Sequence, residues 1–103
     1  METSSQSAAK LAEDRLRLHA EQLLPGARVW LFGSRATDQA RRRSDFDLAV
    51  LPGEDTPESA LEAFEEAVAF DPEIIYRVDV VDLRTVVPAL RQAVEREGIQ
   101  WKN

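Results

Sequence analysis

Two aspartates separated by one residue, Asp45 and Asp47, open the most apolar strand-like segment of the chain. Side chains alternate along a β-strand, so both carboxylates are expected on one face, while Phe46 between them points into the core. Two negative charges held this close raise each other's pKa unless a cation lies between them. Taken alone, such a pair is more often a polar strand end, but aspartate is depleted in strands. Magnesium favours one or two carboxylates completed by substrate phosphates, and the pair therefore predicts a magnesium site.

A glycine-serine turn, Gly33-Ser34, ends the β-prone run that precedes this pair, a run whose Trp30 and Phe32 are interpreted as core residues. Glycine lets the backbone approach a phosphate closely, the first amides of a helical turn point outward as donors, and the Ser34 hydroxyl adds another donor. The simpler interpretation is a strand-to-helix turn with Ser34 as its N-cap. The Asp-x-Asp pair at the start of the next strand favours a phosphate site, with Arg35 as a further phosphate ligand.

The composition limits the metals and partners that the chain can use. Its 103 residues include no cysteine and one histidine, His19, which is expected at or near the surface, so a metal site must rely on oxygen ligands. The net charge of −6 argues against direct binding of long nucleic acid, which usually requires a basic face. No apolar run is long enough to span a membrane and the N-terminus has no signal-peptide core. We therefore expect no membrane association and a cytoplasmic location.

The order of elements predicts a single α/β (α+β) domain over residues 1–103, with residues 1–6 disordered. Apolar periodicity and turn residues place helices at 7–24, 56–69 and 88–97, a short helical turn at 34–40, and strands at 28–32, 44–51 and 73–83. The first two strands are joined too tightly for a parallel crossover, so we expect them to be antiparallel. The result is a mixed sheet of about three strands with helices packed on it. Thr56 is expected to cap the second long helix at its start, and Gly98 the last helix at its end.

The stretch LFGSRATDQARRRSDFDLAV resembles the signature of the DNA polymerase beta-type nucleotidyltransferase superfamily, in its minimal (MNT) branch. That signature is roughly hGSxAxGxxxxxSDxDLhV, where h is hydrophobic. The positions that agree with it are Gly33, Ser34, Ala36, Ser44, Asp45, Asp47, Leu48 and Val50. Asp38 stands where the family usually has glycine. The basic run at 41–43 is open to two interpretations, a contact with phosphates or a partner and a solvated loop.

The resemblance implies nucleotidyl transfer with two Mg²⁺ ions, a nucleoside triphosphate and a third carboxylate from a neighbouring strand. Asp45 and Asp47 would bridge the two ions. For the third acid the resemblance favours Asp79, which stands between two valines in the hydrophobic setting typical of the family. Asp82, three residues later, should face the other side of the strand and cap a turn. Arg77 shares the face of Asp79 and could orient its carboxylate.

The resemblance also implies a partner. Many minimal nucleotidyltransferases act as antitoxins of a small helical HEPN-type protein, a ribonuclease toxin, by transferring AMP from ATP to a tyrosine of that toxin. Two alternatives stay open. One is transfer to a small molecule such as an aminoglycoside, and the other is a non-catalytic subunit that neutralises a helical partner by contact alone.

Overall fold

The structure, a computed structural model, describes residues 4–37 and 44–102, with side chains from residue 7 onward. Within these ranges the chain forms helices, strands and a short 3₁₀ helix at Gly33–Ala36. The helices and strands, in chain order, are α1 (Ser4–Leu23), β1 (Arg28–Phe32), β2 (Phe46–Leu51), α2 (Ala60–Ala69), β3 (Val78–Asp82), α3 (Pro88–Glu97) and β4 (Ile99–Lys102). None of the helices in the described part of the chain is long and apolar enough to cross a bilayer.

The strands form one mixed sheet in the order β3-β2-β1-β4. β1 runs antiparallel to β2, as the tight connection between them predicts, and also to β4. β2 and β3 are parallel, and α2 lies in the crossover between them. The α/β class and the mixed sheet are thus confirmed. β4 adds a fourth strand that the sequence did not predict, because a short edge strand directly after a helix is defined mainly by its pairing with β1.

One face of the sheet packs against α1 and α2 and holds the larger part of the core. Every second residue of β1 and β2 points to this side, because side chains alternate along a strand. The buried residues of this layer include Val29, Leu31, Phe46, Leu48 and Val50 from the strands, with Leu16, Leu24 and Phe64 from the helical side. Phe46 is therefore in the core, as the alternation around the Asp-x-Asp pair predicts.

The opposite face of the sheet is packed against α3 over a smaller area. Trp30 and Ala49 are buried there against Val94 of α3, so the prediction that Trp30 is a core residue is confirmed. Phe32 lies two residues after Trp30 on the same face of β1 and is half-buried at the margin of this cluster. Beyond this margin the same face carries Asp47, the register partner of Phe32. The acidic end of the sheet therefore lies beside a core, not within it.

Of the two predicted helix caps, Thr56 has another role and Gly98 lies at the end of its helix as predicted. α2 begins at Ala60, and the Thr56 hydroxyl instead donates to the Pro25 carbonyl at 2.6 Å and accepts from the Gly53 amide at 3.0 Å. Thr56 thereby joins two turns that are distant in sequence. Gly98 is the C-cap residue of α3: its amide donates to the Val94 carbonyl at 2.8 Å, and its extended conformation, with φ −76° and ψ 162°, leads straight into β4. The Thr56 prediction is wrong because tertiary contacts replace the local one, whereas Gly98 ends α3 as predicted.

The structure also places the starts of the first helix and the third strand differently from the prediction. α1 begins at Ser4, inside the segment 1–6 that was expected to be disordered, and residues 1–3 lie outside the described ranges. β3 begins at Val78 and not at 73, because the preceding residues form a turn around Asp71.

Asp71 anchors this turn to α1. Its Oδ2 accepts from Arg15 Nε at 2.8 Å and lies 2.7 Å from His19 Nε2, while its Oδ1 accepts from the Glu73 amide at 2.9 Å. The Arg15 guanidinium, the Glu73 amide and His19 lower the pKa of Asp71 to about 2. His19 is thus a partly buried partner of Asp71, at the boundary between core and surface.

Candidate active site

Gly33 links the end of β1 to the first aspartate-bearing strand by direct contact. Its φ of +76° is in the left-handed region, where residues with a side chain are strained. A Cβ added to Gly33 would also collide with the carboxylate of Asp47. The backbone conformation therefore favours glycine here, and the absence of a side chain lets the turn approach the Asp47 carboxylate closely.

Ser34 lies within the 3₁₀ helix Gly33–Ala36 and is half-buried. The residue in the N-cap position of this helix is Phe32, and the cap has no side-chain hydrogen bond. The interpretation of Ser34 as an N-cap is therefore wrong. Its backbone carbonyl accepts from the Thr37 amide at 3.4 Å, which closes the short helix. The position fits a hydroxyl donor beside Gly33.

The three predicted acids lie at the same end of β2 and β3. β2 begins at Phe46, so Asp45 directly precedes the strand and Asp47 is its second residue. Asp79 is the register partner of Asp47 in the parallel β2–β3 pair, and register partners point to the same face of a sheet. Burial, followed by the negative charges of Asp79 and Asp45, raises the pKa of Asp47 above its usual value. The three carboxylates therefore interact through space.

The environments of Asp79 and Asp82 differ as strand parity predicts. Asp82 is the register partner of Val50, on the opposite face from Asp79. Its Oδ1 accepts from the Arg84 amide at 2.9 Å, its Oδ2 lies 2.8 Å from Arg84 Nη2, and these hydrogen bonds lower its pKa. Asp82 thus caps a turn, as expected for the residue that does not join Asp47.

Asp79 is less enclosed than its valine neighbours suggested. Its side chain is 45% exposed, and Arg77 Nε lies 3.4 Å from its Oδ1. The expectation that Asp79 stands among apolar groups is therefore corrected, because it lies on the edge strand of the sheet, where solvent reaches it. The Arg77 guanidinium is close enough to orient the carboxylate.

Arg35 makes contacts that the sequence did not predict. Its Nε and Nη2 both donate to the Ser44 carbonyl, at 2.9 and 2.6 Å. The guanidinium carbon also lies 4.3 Å from the ring centroid of Phe46 and 4.7 Å from that of Tyr76. Nothing in the sequence marked Tyr76, because no local pattern relates it to Arg35. The role of Arg35 as a phosphate ligand stays a prediction, while Asp38 and the basic run 41–43 lie outside the described residues.

This site can be compared with known proteins. The profile of the family described as polymerase beta, nucleotidyltransferase, matches residues 26–101, about three quarters of the chain, and this match covers Gly33 and all three acids. The chain belongs to the polymerase beta nucleotidyltransferase family. A candidate protein adenylyltransferase of Haemophilus influenzae, MntA, is 33% identical over 76 residues, which are 74% of this chain and 66% of that protein. The chain thus spans slightly less than two thirds of this relative.

Two solved structures have folds similar to that of this chain. A candidate minimal nucleotidyltransferase matches with a TM-score of 0.66 and 33% identity, over 94% of this chain and 95% of the other. A chain from the complex of a tri-AMPylated Shewanella oneidensis HEPN toxin with its MNT antitoxin matches with a TM-score of 0.62 and 27% identity. That match covers 89% of this chain and 70% of the other.

The candidate site offers oxygen ligands of the kind that magnesium binds. Within residues 4–37 and 44–102, no group of three acidic or histidine side chains is arranged so that it could hold a metal ion. Two observations nonetheless suit the ion. Carboxylate oxygens are the ligands that Mg²⁺ prefers, and burial, followed by the negative charges of Asp79 and Asp45, raises the pKa of Asp47, so that a cation here would favour its ionised form. A magnesium site here would be completed by phosphate oxygens of the substrate, as magnesium sites commonly are.

Proposed function

We propose that this chain is a magnesium-dependent nucleotidyltransferase that transfers AMP from ATP to a tyrosine hydroxyl of a HEPN-type partner and acts as its antitoxin. The observation that carries the proposal is the alignment of Asp47 with Asp79 on one face of the sheet, in contact with Gly33. Membership of the nucleotidyltransferase family supports the reaction class. The similarity to a candidate protein adenylyltransferase and to a complex with an AMPylated HEPN toxin supports the donor and the acceptor.

Different residues of the site would bind the triphosphate and the metal ions. Gly33 and Ser34 would bind the triphosphate through the backbone amide and the hydroxyl. Asp45, Asp47 and Asp79 would hold two Mg²⁺ ions, which neutralise phosphate charge and lower the pKa of the acceptor hydroxyl. Asp79, on the edge strand and partly exposed, is reachable by an acceptor from solvent.

The proposed reaction replaces one bond to the α-phosphorus of ATP by another. The acceptor oxygen forms a bond to the α-phosphorus of ATP, and the bond from that phosphorus to the bridging oxygen of the β-phosphate breaks. Asp79 receives the hydroxyl proton, and pyrophosphate leaves with the electron pair of the broken bond. Positioning and charge stabilisation supply most of the acceleration in reactions of this kind. The register of β2 against β3 places Asp47 beside Asp79, which is the kind of positioning that the reaction needs.

The test is transfer of label from ATP labelled at the α-phosphate to the proposed HEPN-type partner, which would be sought among the proteins encoded by neighbouring genes. We expect label on the partner that depends on Mg²⁺, survives denaturation and is lost when the acceptor tyrosine is replaced by phenylalanine. Asp45→Asn combined with Asp47→Asn should abolish labelling. Asp55→Asn, in an exposed turn near Gly26 at the opposite end of β1 from Gly33, is the matched control and should label normally.

Two outcomes would contradict the proposal. If the double Asp→Asn variant neutralised the partner as well as the wild type did, with no label transferred, the chain would act by contact alone. If label passed to an aminoglycoside and never to the partner, the acceptor would be a small molecule.

A further inference from the structure

One arginine side chain connects the three segments that carry the proposed site. Arg35 belongs to the 3₁₀ helix that begins at Gly33. Its two donors bind the carbonyl of Ser44, the residue directly before Asp45. Its guanidinium also stacks near the ring of Tyr76, three residues before Asp79. These contacts connect the glycine-serine turn, the start of β2 and the start of β3.

Neighbouring contacts make this connection rigid. The rings of Phe46 and Tyr76 meet edge to face, with centroids 5.5 Å apart and an interplanar angle of 74°. Arg35 lies close to both rings, and the Phe46 amide donates to the Arg77 carbonyl at 3.0 Å. The Phe46 side chain is also fully buried. The arginine is therefore held between a core residue and the segment that leads into β3.

The chemistry of this contact requires arginine. A guanidinium is planar, presents two N–H groups in one direction, and can stack on an aromatic ring at the same time. Lysine has a single ammonium group and can reproduce neither the double donation to Ser44 nor the stacking. The Arg35 donors that bind Ser44 are, moreover, not available to a phosphate in this conformation.

We infer that Arg35 is a positioning residue that sets Asp45 and Asp47 against the Gly33-Ser34 turn, and that it does so through Ser44, Phe46 and Tyr76. This inference rests on the proposed function of the site. It assigns to Arg35 a role in aligning the carboxylates, in place of direct contact with the triphosphate.

The first test measures the contact itself and needs no activity. Melting temperatures of Arg35→Lys, Tyr76→Leu and the double variant form a double-mutant cycle. We expect each single change to lower the melting temperature and the double change to lower it by clearly less than the sum. Additive shifts would show that the two side chains are not coupled and would overturn the inference, whether or not the chain is a nucleotidyltransferase.

The second test separates positioning from phosphate binding. Arg35→Lys should lower kcat by roughly tenfold to a hundredfold, since small misplacements of reacting groups cost this much. The Mg²⁺ concentration for half-maximal rate should rise, while KM for ATP at saturating Mg²⁺ changes little. Tyr76→Leu should shift kcat and the Mg²⁺ requirement in the same direction, although it removes no charge. Arg84 pairs with Asp82 on the other face of the sheet, so Arg84→Lys is the matched control and should behave as wild type.

The opposite kinetic pattern would overturn the inference. If Arg35→Lys kept kcat and the Mg²⁺ requirement but raised KM for ATP, Arg35 would be a phosphate ligand. If the wild type transferred no nucleotide, the proposed function would fail, and Mn²⁺ binding followed by electron paramagnetic resonance would replace kinetics. In that case Arg35→Lys and Tyr76→Leu should both weaken Mn²⁺ binding, and unchanged binding in both would refute the positioning role.

Discussion

Asp79 is the register partner of Asp47 across the parallel β2–β3 pair, and the two carboxylates interact on the same face of the sheet. Burial of Asp47 is the largest cause of its raised pKa, and the charges of Asp79 and then Asp45 add to it. A folded protein normally separates like charges unless a ligand makes use of them.

The first prediction concerns the effect of Asp47 on the melting temperature, without and with magnesium. Because its pKa is raised on folding, the Asp47 charge makes the folded state less stable as pH rises above the unfolded value of about 4. At pH 7 without metal, Asp47→Asn should therefore melt at least as high as the wild type. Mg²⁺ with ATP should raise the melting temperature of the wild type by binding to the folded state. Calorimetry should show no such shift for Asp45→Asn with Asp47→Asn.

The control for this experiment is Asp55→Asn, which changes an exposed aspartate away from the site and should keep the full shift. An equal shift in the double variant would place the nucleotide elsewhere on the chain.

The second prediction compares two glycines that share one backbone conformation. Gly33 and Gly26 have φ values of +76° and +75°, so alanine should cost each about 1–2 kcal/mol of backbone strain. At Gly26 the added Cβ would lie 3.1 Å from Asp55 Cβ, whereas at Gly33 it would collide with the Asp47 carboxylate. Urea unfolding should thus show destabilisation in both variants. Only Gly33→Ala should lose the Mg²⁺–ATP shift and transfer activity.

Gly26→Ala serves as the control for strain alone in this comparison. Normal activity in a folded Gly33→Ala variant would mean that the approach of Gly33 to Asp47 has no part in catalysis.

The sequence predicted those parts of the molecule that depend on neighbours along the chain. The bounds of β1 and α3, the burial of Phe46 and the opposite faces of Asp79 and Asp82 follow from periods of two or of 3.6 residues. The roles of Thr56 and Arg35 did not follow. Each is decided by a partner that the fold brings near, such as the Pro25 carbonyl and the Tyr76 ring.

The third prediction concerns the anchor at Asp71. Its folded pKa of about 2 is below the unfolded value of about 3.9, so the unfolded state binds more protons between these values. The stability that Asp71 contributes is therefore complete above about pH 4 and is lost as pH falls towards 2. Melting temperatures of the wild type and Asp71→Asn should differ most at neutral pH and converge near pH 2. A constant difference across this range would mean that the ionised carboxylate is not what Arg15 and His19 stabilise.

The fourth prediction separates Asp79 from Asp82. Only Asp79 shares a face with Asp47, and its partly exposed carboxylate lies where an acceptor hydroxyl can arrive. Asp79→Asn should lower transfer by roughly 10²–10⁴-fold, as loss of a general base does. It should leave most of the Mg²⁺–ATP thermal shift, since Asp45 and Asp47 remain to hold the ion beside the triphosphate.

Asp82→Asn is the matched comparison, because it makes the same chemical change three residues away on the other face of the same strand. It breaks an ion pair with Arg84 and should lower the melting temperature modestly while most transfer activity is retained. The two variants would be assayed side by side with labelled ATP, together with their melting temperatures. A dead Asp82→Asn enzyme beside an active Asp79→Asn enzyme would reverse the assignment, because the parity of β3 allows only one of the two carboxylates to face Asp47.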